Sequence, residues 1–292
     1  MQSQSTYKRI ISNLNPIDIA TLGYLIITLV YILLSSGRLN GVFVHILFRV
    51  ILICLICWLA WLSPKISSRF SLFFRNIYPF ILFGAFYSET DYLNNILFNN
   101  LDYIVEKVEL SIFSLHPSVL FSKYFPQKWF SELMNFGYFS YYFLIVLLPL
   151  WLFIRRRDSF QYVVFTITTT FYLFYLFFII FPVAGPQFYF EGSLRTIPDS
   201  GIFRELVKLA EWVGEGATAA FPSSHVGMVV IIGYLTYRYA DELLVVYLIF
   251  GLLICFSTVY IKAHYAIDVI GGIVFAPIFL GLSNRLNRWL AK

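Results

Sequence analysis

Phe221-Pro222-Ser223-Ser224-His225 opens one long apolar run, and Ser257-Thr258-Val259-Tyr260-Ile261-Lys262-Ala263-His264-Tyr265-Ala266-Ile267-Asp268 joins the next two. Each stretch sets a histidine at the edge of an apolar segment, and the 292 residues contain only four histidines. The second histidine is followed by an aspartate four positions on. An ionisable side chain at a membrane boundary is costly to keep, so it marks a functional site by default. Two of them on consecutive segments, flanked by serines and a lysine, point to phosphate chemistry.

Working outward, the composition sets the class. The chain is 59% hydrophobic and only 13% charged, with a mean hydropathy of +0.76, where soluble domains carry roughly 25% charged residues. It reads as an all-α integral membrane protein. The start, Met1 to Asn15, is polar, and no cleavable leader is evident before the first spanning run. The net charge of +5 reflects loop lysines and arginines, and no nucleic-acid partner is expected. Cys54, Cys57 and Cys255 lie inside apolar helices and read as small buried hydrophobes, not as a disulfide or metal set.

Apolar runs of spanning length fall at about 17–36, 42–62, 131–154, 160–181, 223–240, 243–261 and 264–283, each near the roughly 20 residues that a ~30 Å core requires. An eighth, 77–92, is shorter and ends in Tyr87-Ser88-Glu89-Thr90-Asp91. About eight transmembrane helices are therefore expected, in a single unit: N-terminal membrane helices over 1–76 and a catalytic part over 77–292. The loop charges orient them. Arg155-Arg156-Arg157, Arg238, Arg285, Arg288 and Lys292 share one side if the last four spans alternate, and Lys65, Arg69, Arg75, Lys8 and Arg9 join them if 77–92 crosses. Arg38 dissents. Both termini then lie in the cytoplasm, and His225, His264 and Lys262 meet at the extracytoplasmic or lumenal face. The forty-residue loop 182–222 carries apolar residues at helical spacing from Ile202 to Val213, expected to lie in the interface plane.

The chemistry follows from spacing. Pro222, Ser223 and Ser224 suit a helix start, where free N–H groups and the helix dipole favour an anion. A lipid phosphate docked there would lie beside His225, with Lys262 as a mobile positive charge. His264 and Asp268 share one helix face. A carboxylate that accepts the imidazole N–H leaves the other nitrogen as a nucleophile, and His225 can protonate the leaving oxygen. Bland readings stand beside these. A lone membrane histidine often serves only packing, and His45 and His116, lacking sequence partners, read as structural. His225, His264 and Asp268 could form an iron- or zinc-type set, but Lys262 and the serine-capped helix favour an anion, so neither a metal nor a cofactor is expected. Glu89 and Asp91, at the outer end of a span, are headgroup candidates or solvated helix ends. Tyr138, Tyr141 and Tyr142 read as an aromatic belt.

Phe-Pro-Ser-Ser-His and Ser-x6-His-Tyr-x2-Asp resemble the second and third signature motifs of the type 2 phosphatidic acid phosphatase superfamily over about residues 131–283. The resemblance implies a six-helix membrane core and a metal-independent phosphohistidine mechanism. His264 would be the nucleophile, Asp268 its partner and His225 the acid/base, with Ser223 and Ser224 in the phosphate cradle. Two departures matter. The first family motif carries a lysine and an Arg-Pro pair, where this chain reads Phe181-Pro182-Val183-Ala184-Gly185-Pro186, and the third motif opens Ser257-Thr258 in place of Ser-Arg. Lys262 and Arg195 are the cations left. Gly185-Pro186, Ser224 and the His-Tyr-x-x-Asp-Val ending look more like the inositolphosphorylceramide-synthase-like branch, which moves a phosphoryl headgroup between phospholipid and lipid-alcohol substrates. Three readings compete: such a sphingolipid-type phosphotransferase, a phosphatase of lipid phosphates or polyprenyl pyrophosphates, and a non-catalytic lipid-binding membrane protein. Transport is disfavoured because no span reads as carrying mid-membrane charge.

Overall fold

The computed structural model describes residues 10–63, 68–194, 196–198, 201–214 and 216–292, and among these it contains helices and no strand. Eleven principal helices follow in order: α1 (Pro16–Leu34), α2 (Val42–Leu62), α3 (Arg69–Leu93), α4 (Asp102–Phe113), α5 (Pro117–Tyr124), α6 (Lys128–Arg155), α7 (Arg157–Ile180), α8 (Ile202–Gly214), α9 (Ser224–Tyr239), α10 (Leu244–Tyr260) and α11 (Ala266–Leu290). Local chemistry sets their starts. Asn15 caps α1 by accepting from Asp18 N (2.9 Å), Asp18 returns a carboxylate to Asn15 N (2.9 Å), and Pro16 fills the first turn. Ser223 caps α9 through Val226 N (3.3 Å).

Among the described residues six helices are long and apolar enough to cross a membrane: α1, α2, α6, α7, α10 with the short turn before it, and α11. The other two expected spans differ. The 77–92 run lies inside a longer helix, α3, which continues through the expected boundary at 76/77 and carries Arg69, Arg75, Glu89 and Asp91 toward its ends. Helix α9 has only 16 residues. One apolar core runs from Ile17 on α1 to Phe279 on α11, with α7 at its centre through Phe165, Phe174 and Phe178.

The N-terminal helices hold buried charge that the sequence reading missed. Arg49, fully buried on α2, forks onto Glu89 of α3 (Nη1–Oε1 2.7 Å, Nη2–Oε2 3.0 Å) and donates Nε to Thr28 of α1 (3.0 Å). His45 Nδ1 meets the same carboxylate at 2.6 Å. His45 therefore has a partner. Glu89 is engaged in this clasp, and α2 does carry a charge within its span. Asp18 is paired with Arg75 and accepts from Tyr78 (3.1 Å). The dissenting Arg38 donates to Ile96 O at 3.2 Å.

Helix α8 forms at the expected place. Glu132 of α6 receives Gly201 N, Phe203 N and Arg204 N at 2.9, 3.1 and 3.2 Å, so one carboxylate caps it. It docks on α6, with Phe203 against Phe136 (4.8 Å between ring centres), buries Val207 and leaves Ile202, Leu209 and Trp212 exposed.

Candidate active site

At one end of the bundle, the end of α7, the start of α9, the turn after α10 and the start of α11 converge. Backbone bonds lace them together: Ala220 N to Val183 O (2.9 Å), Ser223 N to Asp268 O (3.0 Å), Gln187 N to Lys262 O (3.0 Å) and His264 N to Thr258 O (3.1 Å). Two glycines permit the approach. A Cβ on Gly272 would stand 2.6 Å from Ser223 O, and Gly185 has φ +93° with Ala263 O 2.9 Å from its would-be Cβ.

Both motif histidines are buried here, with His225 Nδ1 3.2 Å from His264 Nε2. His264 Nδ1 lies 2.7 Å from Ala220 O. A carbonyl can only accept, so Nδ1 carries the proton and Nε2 presents a lone pair toward His225. Asp268 Oδ2 is 3.4 Å from the same Nδ1 and accepts Tyr265 N at 2.8 Å, while Oδ1 is buried without a protein partner. The tautomer is thus held first by Ala220 O and second by the aspartate, where the spacing argument had Asp268 alone. Asp268 addresses the nitrogen opposite to the one that faces His225, so these three side chains do not converge on one ion. Among the described residues no cluster of His, Cys, Asp and Glu is arranged to hold a metal.

Tyr138 and Tyr141 do more than form a belt. Their rings lie 4.7 and 4.4 Å from that of His225, both side chains are buried, and the Tyr141 hydroxyl has no partner. Tyr142 stays half out, edge-on to Tyr141 (5.9 Å). Ser224 and His225 form one end of a cleft of about 410 Å³.

Lys262 differs from expectation. It is fully buried, and its ammonium donates to Ser118 O (2.8 Å), Val119 O (3.4 Å) and Ser122 Oγ (2.9 Å) on α5. Burial, with Lys123 nearby, lowers its pKa to about 8. Its backbone sits at φ +66°, a conformation unfavourable for a side-chain-bearing residue and held here by that grip. In this structure its ammonium is clasped on α5 by these acceptors and does not project freely into the site. Asp91 is exposed and lies against the backbone of Gly216. Arg195 lies outside the described residues.

The sequence reading marks Leu101 to Phe113 as a weakly amphipathic stretch, which forms α4, but assigns its acids no role. Asp102, fully buried, accepts Ala184 N (2.6 Å), Gly185 N (2.8 Å) and the Tyr265 hydroxyl (2.9 Å). It pins the loop that would correspond to the first family motif onto the third. Glu109, seven residues on and also buried, accepts Ile267 N (3.3 Å) at the start of α11, and its other oxygen has no partner. Burial raises the Glu109 pKa to about 7, with Asp268 and Glu106 adding to the rise. Burial and Asp102 likewise push the Tyr265 phenol upward. Two acids at i and i+7 in a weakly amphipathic stretch were the available signal.

The PAP2 superfamily model matches residues 106–282, more than half of the chain and both histidine motifs. The chain belongs to the PAP2 superfamily. Members are phosphatases and phosphotransferases, and this one is a multi-pass membrane protein of that fold. Searches of curated proteins and of solved structures gave no significant match. The inositolphosphorylceramide-synthase-like branch is a finer assignment than the superfamily match reaches.

Proposed function

We propose that this PAP2 superfamily member is a lipid phosphotransferase that passes a phosphoryl headgroup from a phospholipid to a lipid alcohol through a phosphohistidine. The observation that carries the reading is the 3.2 Å approach of His225 Nδ1 to His264 Nε2, with His264 Nδ1 anchored on Ala220 O. The Nε2 lone pair attacks phosphorus as the P–O bond to the lipid alcohol breaks. His225, as imidazolium favoured by the bound phosphate's charge, gives its proton to the leaving oxygen. The acceptor alcohol then loses its proton to His225, attacks phosphorus, and releases His264. Asp268, at the dipole-positive start of α11, stabilises the positive charge on the ring of His264. Ser223, Ser224 and the first turn of α9 face the phosphate. No metal takes part.

Transfer is favoured over hydrolysis by charge. The loop 182–186 has no cation, and Lys262 is clasped on α5. A sparsely cationic site suits a phosphodiester, which carries one charge where a monoester carries up to two. Purified protein given labelled phosphatidylinositol and ceramide, beside phosphatidic acid and a polyprenyl pyrophosphate, should form a new phospholipid in the presence of EDTA. Release of free phosphate alone would establish the phosphatase reading, and loss in chelator with rescue by one divalent ion would support a metal site.

The chain spans eight times in this reading, with α3 and α9 crossing as well. Arg155–Arg157 cluster at the end of α6 opposite the histidines, which supports an extracytoplasmic or lumenal site. With the native cysteines replaced, a cysteine at Ser193 should react with impermeant reagent on intact cells, and one at Ser159 only after permeabilisation. The reverse pattern would overturn the sidedness.

A further inference from the structure

The cleft that ends at His225 and Ser224 has a direction. From the histidine it passes Tyr141 and then Ile145, one turn further along α6. On α7 it passes Tyr175 and then Phe171, and on α3 it runs from Tyr87 back to Phe80. All three sequences lead away from the site end toward the middle of the helices. Seven residues of α3 correspond to a length of about 10 Å. Among the described residues no Asp, Glu, Lys or Arg lines the cleft. An apolar cleft running along membrane helices, with a histidine and a serine of the site among its lining, fits a hydrocarbon chain joined to a phosphate oxygen.

We propose that this cleft binds the hydrocarbon chain of the lipid alcohol whose oxygen exchanges its proton with His225, and that α3 sets which chains fit. The identity of that oxygen rests on the reaction proposed above. The α3 wall, with Phe80, Phe83, Gly84 and Tyr87, precedes residue 106, where the superfamily match begins. Gly84 is exposed on the cleft and a Cβ there would meet nothing within 4 Å. A larger side chain can therefore grow into the opening without displacing a neighbour, and it replaces the poorest helix former but proline.

The test uses the full chain in detergent micelles and two readouts. Hexadecyl phosphate with a mid-chain diazirine should label residues 80–87, 141–146 or 171–175 on irradiation, and excess unlabelled hexadecyl phosphate should suppress that label. Gly84→Leu should lose most of the label while melting at the wild-type temperature or above. In turnover, the ratio of kcat/KM for long-chain over four-carbon-chain donors should fall by about tenfold or more in Gly84→Leu. Val146→Phe, from the opposite wall, should act in the same direction and stands in should Gly84→Leu not fold. Labelling outside these segments, or an unsuppressed label, overturns the proposal. So does an unchanged chain-length ratio. Photolabelling needs no turnover, so a protein that fails the transfer assay but labels at the cleft would separate the two claims.

Discussion

The N-terminal helices and the histidine end of the bundle both bury polar groups in apolar surroundings, yet they satisfy them differently. Among the described residues of the N-terminal part each buried charge meets a counter-charge: Arg49 with Glu89, whose carboxylate also meets His45, and Asp18 with Arg75. What is left over there is donors, namely Asn13 Nδ2, Tyr24 Oη and Arg75 Nε. At the histidine end the leftovers include carboxylate oxygens, Asp268 Oδ1 and Glu109 Oε1, together with the Tyr141 hydroxyl. A closed ion pair repays its desolvation only by staying closed, so it fastens helices. Open acceptor oxygens beside a histidine pair are what the proposed chemistry would draw on, since a buried polar group without a partner is expensive to keep.

The largest effect that can break this contrast is on rate. His264→Ala and His225→Ala should each lower turnover by about a thousandfold or more while the protein stays folded, since removing a covalent nucleophile or its proton donor costs several orders of magnitude. Asp268→Asn should be milder, because Ala220 O still holds the tautomer of His264. Either alanine variant keeping above about a tenth of the wild-type rate, only ~1.4 kcal/mol of barrier, would remove that histidine from its role.

The next effect is on stability and should appear only in the other region. Glu89→Gln leaves Arg49 buried without a counter-charge and should cost about 3–5 kcal/mol, seen as a lower melting temperature in detergent. The double change Arg49→Met with Glu89→Leu should recover most of that loss. A large rate defect in the stabilised double variant would show that the clasp reaches the chemistry.

The smallest effect sharpens the comparison through pH. The Glu109 pKa is raised by burial to about 7, above the value of ~4.3 expected unfolded. Between those values the folded state holds more protons, so its stabilising contribution is full below about pH 4.3 and is lost as pH rises through 7. Wild type should therefore melt at a lower temperature at pH 8 than at pH 5, and Glu109→Gln should flatten that slope. Parallel slopes would mean that Glu109 does not titrate there.

The sequence by itself determined what local rules can determine. Hydropathy over some twenty residues marks α1, α2, α6, α7, α10 and α11, and helical spacing puts His264 and Asp268 on one face. A histidine at the edge of two apolar runs marked the candidate site, whose two rings the structure brings together. Tertiary structure alone decided the rest, because it depends on residues far apart in the chain. Ala220 fixes which nitrogen of His264 carries the proton, so that Nε2 faces His225. Ser118 and Ser122 reach Lys262 from more than a hundred positions away and hold its charge. Arg49 claims Glu89, and Asp102 ties the loop at Ala184 and Gly185 to Tyr265. Each of these choices is made by whichever partner the packed helices bring within hydrogen-bond distance, and a buried polar group must take the partner it is given.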